Sequence, residues 1–151
     1  MDRPETLERS NFNVSYPTRI FSHGWLGGVH APQTIEIVDS HLSNGRKENY
    51  NMIIVDWSCW AMTVNYYFAR LRTRKAGKKT AELIDWLHEK TGMPFETTFV
   101  YGHSLGAHVA VYHGIQKRRI LMIFWKNKEP KRSNLVIHNF TPGVYSSWFS
   151  V

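Results

Sequence analysis

The residues best suited to chemistry lie at 102–106 and have the order Gly-His-Ser-Leu-Gly. The apolar pattern of residues 97–103 predicts a strand, and the small residues within 105–113 predict a closely packed helix. A serine between two glycines at a strand-to-helix turn is typical of a nucleophile, because the sharp turn exposes the hydroxyl. We therefore predict that Ser104 attacks an acyl carbonyl.

A second stretch, residues 21–28, has the sequence Phe-Ser-His-Gly-Trp-Leu-Gly-Gly. Acyl transfer needs two backbone N–H donors for the oxyanion, and each contributes roughly 2.7–4 kcal/mol in the transition state. One donor belongs to the residue after the nucleophile, here Leu105, and the other to an early His-Gly loop. Trp25 is the candidate for that second donor, whereas His23 is expected to brace the loop.

The serine hydroxyl also needs a histidine to take its proton and a carboxylate to orient that histidine. Asp56 and Asp85 precede Ser104, whereas in enzymes whose nucleophile lies in a Gly-x-Ser-x-Gly strand-to-helix turn the acid follows the serine in the chain. Asp56 is therefore expected to brace a strand end and Asp85 to be a solvated helix residue. His103 directly precedes the serine on the turn, so its side chain should point elsewhere, and His108, four residues after the serine on the following helix, is expected to be structural.

Strand and helix patterns alternate along the first three quarters of the chain, which predicts a mainly parallel sheet with flanking helices. Strands are predicted at 18–22, 50–57 and 97–103. Helices are predicted at 32–42, 62–71, 78–90 and 105–113, with a basic break between the second and the third. After Gly114 the alternation stops; 115–151 offers at most two short strands. The sheet is expected to end after the nucleophile strand and to leave an unpaired apolar edge.

The net charge of +7 is concentrated in the last quarter of the chain. Residues 1–113 contain 12 Lys+Arg and 11 Asp+Glu, and residues 114–151 contain 7 Lys+Arg and one Glu. The first part therefore has the charge of an ordinary neutral domain. The second is either a basic patch for phosphates or anionic lipid, or a segment of different origin.

Composition excludes several classes of protein. The longest apolar run, Ile120–Trp125, is too short to span a membrane, and no signal peptide is visible at the N-terminus. The single cysteine, Cys59, excludes an internal disulfide and is expected to be buried. No metal, cofactor or nucleic-acid partner is expected.

Four stretches carry a family resemblance: "PTRIFSHGWLGG", "NYNMIIVDW", "AGKKTAELIDWL" and "VYGHSLGAHVA". In this order they resemble the animal neutral lipase (pancreatic lipase) family, most closely its insect phospholipase A1-like and lipase members. The resemblance implies an α/β-hydrolase fold, secretion and lipid ester substrates. It also implies that Ser104 is the nucleophile and that the N–H groups of Trp25 and Leu105 form the oxyanion hole.

The chain departs from the family after Gly114. The family next has a Gly-Leu-Asp-Pro-like segment, whose aspartate is the triad acid, and a histidine much later. Glu129 lies near the expected place without that context, and His138 follows it by nine residues. The resemblance therefore predicts that 1–114 is the N-terminal part of a lipase domain, that 115–151 is a divergent tail, and that the triad aspartate and histidine are missing.

Three functions remain open. The first is a lipid carboxylic ester hydrolase, of triacylglycerol lipase or phospholipase A1 type, represented by an incomplete and by itself inactive chain. Its partner would be a lipid ester at a membrane or lipid–water interface. The second is a non-catalytic lipid- or partner-binding fragment. The third, a membrane-surface or nucleic-acid binder that uses the tail, rests on charge alone and is disfavoured because the tail lacks a periodic basic helix.

Overall fold

The computed structural model describes residues 7–42, 49–116, 121–125 and 135–138. Within these ranges the strands are β1 (Thr18–Ser22), β2 (Asn51–Val55), β3 (Thr98–His103), β4 (Leu121–Trp125) and β5 (Leu135–His138). The helices are α1 (Pro32–Leu42), α2 (Ser58–Ala61), α3 (Tyr66–Thr91) and α4 (Leu105–Gln116). A short 3₁₀ turn, Phe95–Thr97, leads into β3.

The strands form one sheet in the order β2-β1-β3-β4-β5. The first four are parallel, and β5 is antiparallel to β4. Because parallel strands end at the same edge of a sheet, the residues that follow β1, β2 and β3 are brought together there. In the register, Ser22 of β1 lies beside Val55 of β2 and Gly102 of β3.

The predicted α/β architecture is confirmed, and the described part of the chain is a partial α/β-hydrolase fold. Every predicted strand is present, including the two short strands after Gly114. The expectation that the sheet ends after the nucleophile strand is wrong, because β4 pairs with β3 along its full length. The apolar run at 121–125 takes up the backbone hydrogen bonds that an edge strand would leave unpaired.

The predicted break between two helices is also wrong. One helix, α3, runs for 26 residues through the basic stretch "RTRKAGKK". Its buried residues Ala69, Thr73, Ala76 and Thr80 continue at helical spacing through that stretch. Arg and Lys are good helix formers, and their charges lie on the opposite, exposed side, so the core-facing side is uninterrupted.

Side-chain and backbone caps fix both ends of α3. At its start the Asn65 side chain accepts a hydrogen bond from the N–H of Phe68 at 2.9 Å. At its end Gly92 is left-handed, with φ 73°, and its N–H donates to the carbonyl of His88. These caps satisfy backbone groups that a helix terminus otherwise leaves without partners.

Cys59 is exposed, so the expectation that it is buried is wrong. It belongs to the single helical turn of α2, which turns Ala61 into the core. A turn this short has only one buried side, and Cys59 lies on the other.

Two apolar clusters hold the helices to the sheet. One joins Ile20 of β1 and Val100 of β3 to the C-terminal half of α3 through Ile84 and Leu87. The other joins Trp57 and the N-terminal half of α3 to α4, through the residues Ala61, Ala69, Ala76, Leu105 and Val109. Small residues of α3 in the second cluster let it pack closely on the start of α4.

Among the described residues, no helix has the length and apolar character needed to cross a bilayer.

We expect Ala76→Leu to lower the free energy of unfolding by about 1–3 kcal/mol, because the side chain at this position is only 2% exposed and overpacking forces neighbours apart. The matched control is Lys75→Leu on the exposed side of the same turn, which should change it by less than about 0.5 kcal/mol. Urea denaturation of both variants measures the difference. Equal effects would show that α3 does not pack on α4 through this face.

Candidate active site

Ser104 occupies the turn between β3 and α4. It is exposed, and its φ of 54° is in the left-handed region, which residues other than glycine seldom adopt. Its carbonyl accepts the N–H of Ala107 at 3.0 Å, so the helix starts immediately after it. Backbone strain of this kind costs on the order of 1–3 kcal/mol and persists only where the surroundings enforce it.

The two glycines that flank Ser104 make the turn possible by their lack of a side chain. A Cβ on Gly102 would overlap the carbonyl of Gly106. A Cβ on Gly106 would overlap the carbonyl oxygen of Ser22, at the end of β1. The first turn of α4 is therefore packed directly against the ends of β1 and β3, with only backbone atoms between them.

The loop after β1, residues 23–25, lies against Ser104. A Cβ built on Gly24 would be 3.0 Å from the Cβ of Ser104, so the loop backbone is within contact distance of the serine side chain. Trp25 follows Gly24 directly, and within the described ranges no acceptor takes its backbone N–H. The N–H of Leu105 is the first of α4, and first-turn N–H groups have no acceptor inside their own helix. The structure thus brings together the three residues that the sequence singled out.

His23 braces this loop, as predicted. The His23 side chain is 1% exposed, and its Nδ1 lies 3.0 Å from the Gly24 carbonyl oxygen. Its Nε2 accepts the N–H of Trp57 at 3.3 Å, which leaves Nδ1 to donate to the Gly24 carbonyl. Both ring nitrogens are thereby occupied, and His23 has no nitrogen left to serve as a base for Ser104.

Trp57 is an anchor that the sequence analysis missed. Its indole N–H donates to the His23 carbonyl at 2.8 Å, and its ring stacks on the His23 ring with centroids 5.6 Å apart. The signal in the sequence was a tryptophan directly after the Asp at the end of a predicted strand. What that tryptophan contacts depends on the parallel pairing of β1 with β2, which a local pattern does not contain.

The far side of the loop is tied to the segment between α2 and α3. The Trp25 indole N–H donates to the carbonyl of Thr63 at 2.7 Å, and its ring meets the Tyr66 ring edge-on at 5.2 Å. The N–H of Leu26, itself left-handed with φ 55°, donates to Ala61 at 3.1 Å. The position of Trp25 is therefore fixed by side-chain and backbone contacts on both sides.

Asp56 braces the end of β2, in agreement with the sequence analysis. Its Oδ1 accepts the N–H of Ser58 at 3.0 Å, and hydrogen bonds from Ser58 are the main reason that the pKa of this carboxyl is lowered. It also lies 3.5 Å from Nε2 of His23. Because that nitrogen already accepts the Trp57 N–H, the carboxylate is a neighbour of the His23 ring and not its hydrogen-bond partner. Asp85 lies in the last third of α3 and is partly buried.

The two histidines near Ser104 are both half-buried. Burial lowers the pKa of His103, whose side chain lines a pocket of about 240 Å³ together with Phe21, Trp25 and Thr34. Burial, and to a smaller extent Arg70, lowers the pKa of His108 on α4. Within the described residues, neither histidine is hydrogen-bonded to the Ser104 hydroxyl.

The two candidates after Gly114 are not brought to the serine by the described part of the chain. His138 of β5 pairs with Met122 of β4, and Met122 pairs with Val100 of β3. His138 is therefore two strands away from β3 and level with a residue that precedes Ser104 by four positions. These offsets are on the order of 10 Å in each direction. Glu129 lies outside the described residues.

Comparison with known proteins identifies a family. The model of the family described as Lipase matches residues 1–123. The chain is 33% identical over 115 residues to the hepatic triacylglycerol lipase of Homo sapiens, with 76% of this chain and 23% of the relative covered. It is 32% identical over 118 residues to the lipoprotein lipase of Gallus gallus, with 77% and 24% covered. It is 35% identical over 107 residues to the inactive pancreatic lipase-related protein 1 of Mus musculus, with 71% and 22% covered. The chain thus spans less than a quarter of the length of these relatives.

We expect Ser104→Gly to be more stable than Ser104→Ala by about 1 kcal/mol, because a Cβ is unfavourable in the left-handed region and glycine has none. The matched control is Ser40, which is helical in α1. There the order should reverse, with glycine about 1 kcal/mol less stable than alanine. Urea denaturation of the four variants measures both differences. The same order at both positions would contradict the strained turn.

We also expect the free energy of unfolding to fall as the pH drops from about 7 to about 5. Burial lowers the pKa of His103 and His108 in the folded state, so the unfolded chain binds more protons below its own histidine pKa. This loss of stability is absent above the histidine pKa of the unfolded chain and develops as the pH falls through that pKa. His103→Gln/His108→Gln should flatten the dependence, and unfolding at neutral pH controls for the substitutions themselves. An unchanged slope in the double variant would show that other groups cause it.

Proposed function

The chain belongs to the lipase family, and from that premise we propose that it carries the serine nucleophile of a lipid carboxylic ester hydrolase. The observation that supports this most strongly is the exposed Ser104, held at φ 54° with the backbone of Gly24 against its side chain. Nothing in the packing of the fold by itself requires a serine in a strained, exposed turn, whereas nucleophilic attack does.

In the proposed mechanism, Ser104 Oγ attacks the ester carbonyl carbon, and the carbonyl oxygen becomes negatively charged. The backbone N–H groups of Trp25 and Leu105 donate to that oxygen, and the positive end of the α4 dipole adds to the stabilisation. The bracing of the loop by His23 and Trp57 keeps the first donor in place before the charge develops. No reorganisation is then needed at the moment of reaction.

The mechanism also needs a histidine to take the serine proton and a carboxylate to orient that histidine. We propose that they belong to the rest of a longer enzyme, since this chain spans less than a quarter of its relatives and the resemblance expects both residues after Gly114. In this view residues 1–114 are the nucleophile-bearing part of the domain and 115–151 are a tail that departs from the family. By itself the chain should be inactive, because the serine hydroxyl is not deprotonated without a base.

The proposed substrates are acyl esters of glycerol at a lipid–water interface. The hepatic relative is by name a triacylglycerol lipase, which favours triacylglycerol, and the sequence resemblance to phospholipase A1-like members makes phospholipid the alternative. We further propose that the protein acts outside the cell, as the resemblance implies. The sequon at Asn13, which is exposed, is compatible with a secreted protein.

A second candidate function is a non-catalytic lipid- or partner-binding protein. Two observations favour it: no hydrogen bond to the Ser104 hydroxyl occurs within the described residues, and one relative is by name an inactive lipase-related protein. Activity of a completed enzyme separates the two candidates.

The test is a chimera in which residues 1–114 replace the matching segment of the human hepatic relative. It should hydrolyse fluorogenic triacylglycerol or phospholipid analogues, and Ser104→Ala should abolish this, because removing the nucleophile leaves only about 10³–10⁴-fold catalysis over water. Gly102→Val should be as damaging, since its side chain would overlap Gly106. Trp25→Ala should cost less than either, because its donor is a backbone group.

The chain 1–151 alone and its Ser104→Ala variant are the controls and should be equally inactive. A folded chimera whose activity survives Ser104→Ala would overturn the proposed nucleophile. A folded chimera without any activity would favour the binding function.

A further inference from the structure

The outward side of the first half of α3 has an unusual composition. Tyr67, Leu71, Lys75 and Lys78 follow one another at helical spacing, on the side opposite the buried Ala69 and Ala76. Met62 and Val64 lie just before the helix and are also exposed. We call the six residues Met62, Val64, Tyr67, Leu71, Lys75 and Lys78 the aromatic–basic face.

The first part of the aromatic–basic face is apolar and open to solvent. Val64 is 93% exposed, Met62 69%, Tyr67 63% and Leu71 52%. Single exposed apolar residues are common, but four within ten positions, two of them one helical turn apart on the same side of α3, concentrate apolar surface of the kind that marks a contact surface. The patch is therefore a candidate for contact with something apolar.

The second part is strongly basic. Six Lys and Arg residues fall within 70–79, and no Asp or Glu occurs from 57 to 81. Lys79 is paired with Glu82 at 2.7 Å, and the guanidinium of Arg74 lies over the ring of Tyr112 at 5.3 Å. Lys75 and Lys78 lie on the outward side, so the apolar patch continues into a positively charged one.

This surface is continuous with the proposed oxyanion loop. Tyr66, the first residue of α3, meets the ring of Trp25 edge-on, and Thr63, between Met62 and Val64, accepts the Trp25 indole N–H. Whatever covers the aromatic–basic face therefore lies next to the loop that faces Ser104.

We propose that the aromatic–basic face docks the protein on the surface of an anionic phospholipid aggregate. A helix in the plane of a lipid surface buries apolar and aromatic side chains among the acyl chains and places Lys and Arg at the phosphates. Met62, Val64, Tyr67 and Leu71 match the first requirement, and the run of cations matches the second. The inference rests on the proposed function in one respect, because it is at such a surface that a lipid ester would reach Ser104.

Two other occupants fit the face less well. Nucleic acid would pair with the cations but would leave Met62, Val64 and Leu71 exposed to water. A second copy of the chain would bury the apolar residues but would bring two runs of six cations together, which is repulsive. Both remain distinguishable outcomes of the experiment below.

The experiment is flotation of the chain 1–151 with phosphatidylcholine vesicles that either contain or lack phosphatidylglycerol. We expect binding to the anionic vesicles, weaker binding to the neutral ones, and a loss of affinity in high salt. Lys75→Glu/Lys78→Glu and Tyr67→Ser/Leu71→Ser should each weaken binding by about tenfold or more, since each cation or buried apolar group contributes separately. All four side chains are exposed or outward, so these variants should still fold.

Matched controls lie elsewhere on the surface. Lys90→Glu, near the far end of α3, and Ile35→Ser, which removes an exposed apolar side chain from α1, should leave binding within about twofold. Lys126→Glu/Lys128→Glu tests the basic tail, and Ser104→Ala should bind as the unaltered chain does. Binding that is intact while the chimera shows no serine-dependent hydrolysis would support the docking face and overturn the proposed function alone.

Three results with vesicles or with the chain alone would overturn the docking face, and a fourth would come from nucleic acid. They are equal binding by the face variants and the unaltered chain, binding lost only in the tail variant, and a dimer in analytical ultracentrifugation that Tyr67→Ser/Leu71→Ser dissociates. The last would assign the face to a second copy of the chain. Binding of a nucleic-acid duplex that competes with vesicles and ignores Tyr67→Ser/Leu71→Ser would likewise overturn it.

Discussion

The structure of the site depends on one close approach of backbone to backbone. Gly106, in the first turn of α4, lies so near the carbonyl of Ser22 that no side chain fits between them, and Gly102 lies equally near Gly106. This contact places the start of α4 against the ends of β1 and β3. It thereby brings the loop at 23–25 into contact with Ser104, and it holds Ser104 in the left-handed region.

The rest of the described fold supports that contact from two directions. Trp57, which follows β2, fixes His23 through two hydrogen bonds and a ring stack. The loop therefore cannot move away from the serine without breaking these contacts. On the helical side, Ala69 and Ala76 of α3 share a cluster with Leu105 and Val109, and this cluster holds α4 in place. The strain at Ser104 is thus offset by packing at residues that have no chemical role.

Local sequence patterns were sufficient to predict the strands and the turn that carries Ser104. The apolar runs around Ile20 and Val100 and the Gly-x-Ser-x-Gly spacing each act within a few residues, so the sequence alone placed β1, β3 and Ser104 correctly. Contacts between distant segments decide the features that were missed. The continuity of α3 follows from burial against α4, and the role of Trp57 follows from strand pairing. The net balance of residues 1–113 likewise concealed the six cations of 70–79, because acidic residues elsewhere in the chain cancel them in the sum.

In the proposed mechanism, Ser104 and the backbone N–H groups of Trp25 and Leu105 surround a single reacting carbonyl. The most direct measurement is a crystal structure of the hepatic-lipase chimera after reaction with an alkyl phosphonate ester, whose phosphoryl oxygen stands in for the oxyanion. We expect a bond from phosphorus to Ser104 Oγ, with the phosphoryl oxygen about 2.7–3.1 Å from the backbone nitrogens of Trp25 and Leu105. Phosphorus on any other side chain, or a phosphoryl oxygen turned away from the loop at 23–25, would contradict it.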